Sequence, residues 1–401
     1  MITLTRREFA AALSIAALRP LRGPRVQGSP GLDGIRPPAD EFLRTLRNLM
    51  GIAGVPGSSM GVMRGGKLVW ERYEGVSDVS TREPVTAESL FPAASLGKPV
   101  FAYAAMRLVD DGTLDLDRPL KSYVADHAPA DPRGDKVTAR HVLSHTSGFR
   151  NWRGSMNQPL VPEFEPGSRF RYSGEGFYYL QRAVEKITAG AFEQFMQQRL
   201  FGPFGMRSST YAWRDDTDAR LVTGHDRGSA ARSQSRDFAG RLLQYARAQD
   251  RPLSSFTHED IVAAMAAIKP SPPPLPNFMI PNSAGSLLTT VTDYAAFLNH
   301  VLAPSGHAAE VAPGTVRQML APATRINTAI SWSLGWGLEG HEGRDYIWHW
   351  GDNGNFKNFV LAHLPSRSAI VVFTNGHNGL RVAEAVVAAA SGHEHPAFDW
   401  L

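Results

Sequence analysis

The sequence predicts an α+β fold: an antiparallel sheet built from strands near both ends of the chain, flanked by helices, with an inserted all-helical lobe. Three observations lead there. Alternating or continuously apolar segments occur at 58–74 and again at 346–375. The long stretch between them carries apolar residues mostly at helical spacing, and turn residues separate the regions. The expected division is an α/β lobe from 37–98 with 285–401 and a helical lobe at 99–284.

Taken in order, 37–52 places Phe42, Leu43, Leu46, Leu49 and Met50 on one helical face, with Asp40 and Glu41 at the start, where the helix dipole favours acids. Ser58 to Arg64 and Lys67 to Glu74 flank Gly65-Gly66, a two-residue hairpin signal. Within this hairpin Gly57-Ser58-Ser59-Met60-Gly61 matches Gly-x-Ser-x-Gly, but that elbow needs a strand before it and a helix after it. Val55-Pro56 precedes and a strand follows, so Ser59 reads as structural.

Phe101, Ala104, Ala105, Leu108 and Val109 predict a helix that Gly112 stops. Leu114 to Leu120 reads as a packing and capping loop. Thr138 to Phe149 reads as a short threonine-capped helix closed by a glycine turn. Its His141 and His145, four apart, invite a zinc reading; without a glutamate at the second position or an obvious third ligand, hydrogen bonding is the preferred role. Glu165 to Gly174 is a turn and an extended segment with Tyr172 at the entry to a helix carrying Phe177, Leu180, Val184 and Ile187. Helices are expected at 192–200, 238–248 and 260–268, with a polar excursion at 214–236 and a proline-rich break at 270–276. A helix ending near Leu302, strands at 346–350, 358–364 and 369–375, and a helix at 382–390 complete the chain.

The chemistry centres on Phe91-Pro92-Ala93-Ala94-Ser95-Leu96-Gly97-Lys98-Pro99. Ser95 and Lys98 lie one helical turn apart, so hydroxyl and amine can meet, and Pro99 requires the helix to begin close to Ser95. Free N–H groups at such a helix start favour negative charge. The alternative is a helix cap with a solvated lysine.

The chain has 401 residues, 43% of them hydrophobic, enough for a sizeable core. It has no cysteine, which excludes disulfides and a thiolate nucleophile. Residues 1–28 hold five arginines and one glutamate, so the net +4 resides there, the remainder is formally neutral, and no nucleic-acid partner is implied. Arg6-Arg7 before the short apolar run Ala10 to Leu18 resembles a twin-arginine export signal, with cleavage before Ser29 compatible with the small residues there, although no Ala-x-Ala site is present. The expected location is periplasmic or secreted, with no membrane span after leader removal. Neither a metal nor an organic cofactor is indicated, and the terminal His393-Glu394-His395 reads as chance.

Ser95-x-x-Lys98, Tyr172-Ser173-Gly174 and His349-Trp350-Gly351, with His141 to Gly148 and Gly285-Ser286-Leu287 between them, resemble the serine β-lactamase and penicillin-binding family. The pattern is most similar to class C enzymes and their esterase and D-peptidase relatives, over about 37–390. The resemblance implies Ser95 as acylated nucleophile, Lys98 and Tyr172 sharing general-base work, and His349 at the position of the third motif's lysine or histidine. It implies an oxyanion hole from the N–H groups of Ser95 and Asp352, with Gly174, Trp350 and Gly351 at substrate-binding positions. Two departures stand out: Gly174 replaces the second motif's asparagine, and Trp350 replaces a small hydroxyl residue. Both suit a roomier, more apolar site. The expectation is an exported hydrolase of esters or related small acyl compounds; the alternatives are a β-lactamase or D-Ala-D-Ala-type peptidase, and a non-catalytic ligand-binding relative.

Overall fold

The computed structural model describes residues 34–125, 129–226, 229–231, 234–269, 280–340 and 345–401. The expected leader at 1–28 and the proline-rich stretch at 270–276 lie outside them. Helix α1 (Asp40–Ala53) leads into β1 (Gly57–Arg64) and β2 (Lys67–Gly75), joined through Gly65 and Gly66, both at positive φ. Left-handed φ at two successive residues is what a tight hairpin turn requires, and glycine supplies it without a steric penalty. The elbow-like Gly57 to Gly61 stands inside β1, so Ser59 is a strand residue.

Six further strands come from the C-terminal region: β3 (Thr324–Arg325), β4 (Ile330–Trp332), β5 (Gly337–Glu339), β6 (Tyr346–Asp352), β7 (Lys357–His363) and β8 (Ser368–Thr374). The sheet runs β2-β1-β8-β7-β6-β5-β4-β3. β1 pairs antiparallel with β8, Ser58 opposite Thr374 through Arg64 opposite Ser368, so the two ends of the chain form one sheet as expected.

Strand alternation sorts side chains into two cores. Met60, Val62, Ile370 and Val372 face α1 and α5 (Gly379–Ser391), meeting Leu46, Leu49, Val382 and Val386. Val371, Phe373 and Val360 face the other way, onto α4 (Val291–Leu302) and the helical lobe. With both faces covered, β8 is buried along its whole length, which is why it reads as continuously apolar. Burial of each such large apolar side chain contributes about 1.5–3 kcal/mol.

At the centre lies α2 (Gly97–Asp110), buried from Gly97 to Met106. Helix α3 (Gly174–Thr188) packs against it, Phe101 meeting Phe177 edge-on. The helices Gln234–Ala248 and His258–Ala267 form a smaller apolar cluster with Trp213, Ile280 and Leu288. Among the described residues no helix is long and apolar enough to cross a membrane.

Candidate active site

Ser95 lies in a single 3₁₀ turn, Ala94–Leu96, that feeds directly into α2. The chain leaves a two-residue ladder, Phe91-Pro92 paired with Leu288-Thr289, and turns at Ala94, whose φ of 53° is in the left-handed region. A non-glycine residue there is strained and persists only when its surroundings hold it. Two buried phenols do so: Tyr294 Oη donates to Leu96 O at 3.1 Å and Tyr211 Oη donates to Gly97 O at 2.6 Å. From the far side β6 closes in: a Cβ at Gly351 would sit 2.2 Å from Ala93 O, so only glycine allows that approach. Gly351 and the following Asp352 are thereby brought beside the Ser95 turn.

Lys98 is the second residue of α2 and is 1% exposed. Its Nζ donates to Ser95 Oγ at 2.9 Å and to Ala284 O at 2.7 Å, and among the described residues no carboxylate pairs with it. Burial holds its pKa well below the ordinary lysine value. The alternative of a solvated lysine is thus overturned: the amine sits in the interior, on the hydroxyl.

Tyr172 arrives from the segment before α3, and its ring centroid is 4.8 Å from Lys98 Nζ. Its Oη is buried without a hydrogen bond of ordinary geometry, yet Ser95 is close enough to favour the phenolate, against burial that pushes the phenol pKa up much further. The ring is clamped by His145. Arg171 N–H donates to His145 O at 2.7 Å and Ser173 N–H to His145 Nδ1 at 3.1 Å, one on each side of Tyr172. The imidazole lies 4.2 Å from the phenol ring, centroid to centroid. His145 takes up this position with φ of 54° and no exposure. His141 Nδ1 instead accepts the Thr138 N–H in a capping box. Both histidines therefore accept backbone hydrogen bonds, as expected, and among the described residues no three His, Cys, Asp or Glu side chains are placed to hold a metal ion.

His349, fully buried, lies on the same face of β6 as Gly351, its ring 6.1 Å from Tyr172. Burial holds its pKa well below the ordinary imidazole value, so it is a neutral imidazole rather than a cation. Its neighbour Trp350 corrects an expectation. Alternation along β6 turns Trp350 away from the Ser95 turn, and its indole packs 4.6 Å from the Tyr172 ring and 5.4 Å from Trp400. It backs the phenol and does not line the cavity. Asp352 does line it, with its carboxylate tied to Lys357 at 2.6 Å.

The cavity onto which Ser95 opens holds about 560 Å³, the range of drug-sized ligands. Its apolar wall includes Trp152, Trp213, Leu221, Ile280, Leu288 and Phe356. Gly174 is a second correction: the space left by its missing side chain is not open but filled by Trp152, whose ring carbons would lie 2.4–2.7 Å from a Cβ there. Trp152 and Asn151 escaped the sequence reading because no spacing or motif marks them; proximity to α3 alone brings them in.

A family model described as Beta-lactamase matches residues 42–392. Lovastatin esterase of Penicillium rubens is 30% identical over 179 residues, covering 35% of this chain and 45% of that protein. Esterase EstB of Burkholderia gladioli is 29% identical over 199 residues, 42% of this chain and 48% of that one. The chain thus spans under half the length of these curated relatives. Among solved structures, D-alanine carboxypeptidase AmpC from Burkholderia cenocepacia superposes with a TM-score of 0.67 at 18% identity, over 88% of this chain and 98% of that one, a likeness of fold.

Proposed function

This chain belongs to the β-lactamase family, and from that premise we propose that it is an exported serine hydrolase cleaving carboxylic esters through an acyl-enzyme on Ser95. The observation that carries the reading is the buried Lys98 amine, 2.9 Å from Ser95 Oγ and, among the described residues, with no carboxylate to keep it charged. A serine hydroxyl becomes a nucleophile only when a base takes its proton, and a neutral amine is such a base.

In the proposed sequence Ser95 Oγ attacks the ester carbonyl while Lys98 Nζ accepts its proton. The N–H groups of Ser95 and Asp352 receive the developing oxyanion. The tetrahedral intermediate collapses, and the departing alkoxide takes a proton from the neutral Tyr172 phenol, which Lys98 then restores. Water, deprotonated by the same groups, attacks the acyl-enzyme, and Ser95 regains its proton as the acid leaves. Neutral His145 and His349 flank the phenol, their rings 4.2 and 6.1 Å from it.

The names of the esterase relatives favour esters over amides, and the aromatic part of the cavity wall suits apolar acyl groups. The resemblance of Arg6-Arg7 and the apolar run after it to a twin-arginine signal motivates the export part of the proposal. Intact mass after separate incubation with a fluorophosphonate and a penicillin, beside a panel of ester, lactone, cephalosporin and D-Ala-D-Ala substrates, tests it. A fluorophosphonate adduct with esters turned over fastest supports the reading. Faster cleavage of a cephalosporin or a D-peptide overturns the ester assignment, and no adduct with no turnover leaves a ligand-binding protein.

Tyr172→Phe separates chemistry from stability. Because Oη makes no ordinary hydrogen bond, its removal leaves no partner unsatisfied, and the thermal midpoint should stay the same or rise slightly. Loss of proton transfer should lower kcat by about 10²- to 10⁴-fold. Steady-state kinetics and a melting curve on one preparation check both.

A further inference from the structure

We propose that Trp152, seated against Gly174, sets which substrates the cavity accepts, selecting esters whose acyl group is flat and apolar. The inference rests on the ester-hydrolase reading above and names its substrate class.

The indole occupies the volume a side chain at residue 174 would fill: a Cβ there would meet Cζ2, Cη2 and Cε2 of Trp152 at 2.4, 2.6 and 2.7 Å. Contacts that short are not tolerated, so glycine at the first position of α3 is what admits the ring. The residues on either side of Trp152 are bolted to the same helix turn. Asn151 Oδ1 accepts the Gly174 N–H at 2.8 Å, and Asn151 O accepts the Glu175 N–H at 2.9 Å. Arg153 donates from its backbone N–H and from Nε to Glu175 Oε1, both at 2.8 Å. Glu175 and Arg153 are both buried, so the loop carrying the indole is fixed at both flanks.

Trp152 is half-buried, and it shares the cavity wall with Ser95. Trp213, Ile280, Leu288 and Phe356 add further apolar surface to a cavity that Asp352, Asn353, Ser286 and Arg236 line with polar groups. A rigid indole covers a flat or extended apolar group with little conformational entropy to lose. The neighbouring carboxamide, Asn151, directs its oxygen at the helix rather than at a ligand. An acyl group laid on the indole meets no acceptor on that face, so an amide N–H placed there goes unpaired where an apolar ring does not, and discrimination against it follows.

The test compares kcat/KM for 4-nitrophenyl 2-naphthylacetate and 4-nitrophenyl acetate on the full chain. The naphthylacetyl to acetyl ratio should fall about 10- to 100-fold in Trp152→Ala. It should fall comparably in Gly174→Ala, where the new methyl displaces the indole, and no further in the double variant, because both changes remove one contact. If Trp152→Ala does not fold, Trp152→Phe should keep the ratio and Trp152→Gln lose it. A ratio within about twofold of the native value in Trp152→Ala or Trp152→Gln, or additive effects of the two single changes, overturns the proposal. Fluorophosphonate labelling separates the failures: labelled enzyme with an unmoved ratio removes only the role of Trp152, whereas a native chain that neither labels nor turns over esters removes the ester-hydrolase reading itself.

Discussion

Ester turnover is expected to fall about 10⁶-fold when Ser95 is replaced by alanine, and the fluorophosphonate adduct should disappear from the intact mass. Without Oγ no acyl-enzyme can form, and what remains is the cavity and the N–H groups around the carbonyl, which alone give about 10³- to 10⁴-fold over water. The fold should be unaffected. The turn is held by Tyr211 and Tyr294 through the carbonyls of Gly97 and Leu96, and neither bond involves the Ser95 side chain. A melting curve matching the native protein beside the kinetic loss would make the effect chemical. Residual activity within tenfold of native would place the nucleophile elsewhere.

Lys98→Met is the second large effect, with two separable readouts. Ester kcat/KM should drop by about 10³-fold or more, as the hydroxyl loses its base. The other readout is the pH dependence of stability. A buried lysine whose folded pKa lies below its unfolded value of about 10.4 binds fewer protons in the folded state than in the unfolded one throughout the interval between them. Unfolding then takes up protons, so native stability rises with pH across that window. Methionine carries no such term. The midpoint of Lys98→Met minus that of the native protein should therefore be most positive at the low-pH end of the window and shrink as pH approaches about 10. Measuring from about pH 8 upward keeps His145 and His349 out of the comparison, since both are essentially neutral in either state there. A native protein whose stability relative to Lys98→Met is flat over this range would mean that Lys98 stays charged, and the proposed base would be lost.

Much of this arrangement was legible because it is written in fixed spacings. Ser95 and Lys98 are one turn apart on the same element, so local geometry alone brings them together. The hairpin, α1, α5 and β6 to β8 announce themselves by long periodic runs. By contrast β3, β4 and β5 are two or three residues each, too short to display alternation, and went unread. Gly174 misled for a different reason. A glycine shows that no side chain is attached, not who fills the vacancy, and the answer comes from Trp152, 22 residues earlier in the chain. Trp350 was read from its place in a motif, but strand alternation decided its direction. His145 was read as a hydrogen-bonding residue, which it is, yet nothing in its neighbourhood of sequence shows that it grips both flanks of Tyr172.

The pairing of β1 with β8 also bears on how the protein is made. A nascent chain emerging from the ribosome at about 5–20 residues per second presents its first hairpin tens of seconds before residues 368–374 exist to cover it. Throughout that time the N–H and C=O groups along one edge of β1 lack their native partner, so the sheet cannot close until synthesis is nearly complete.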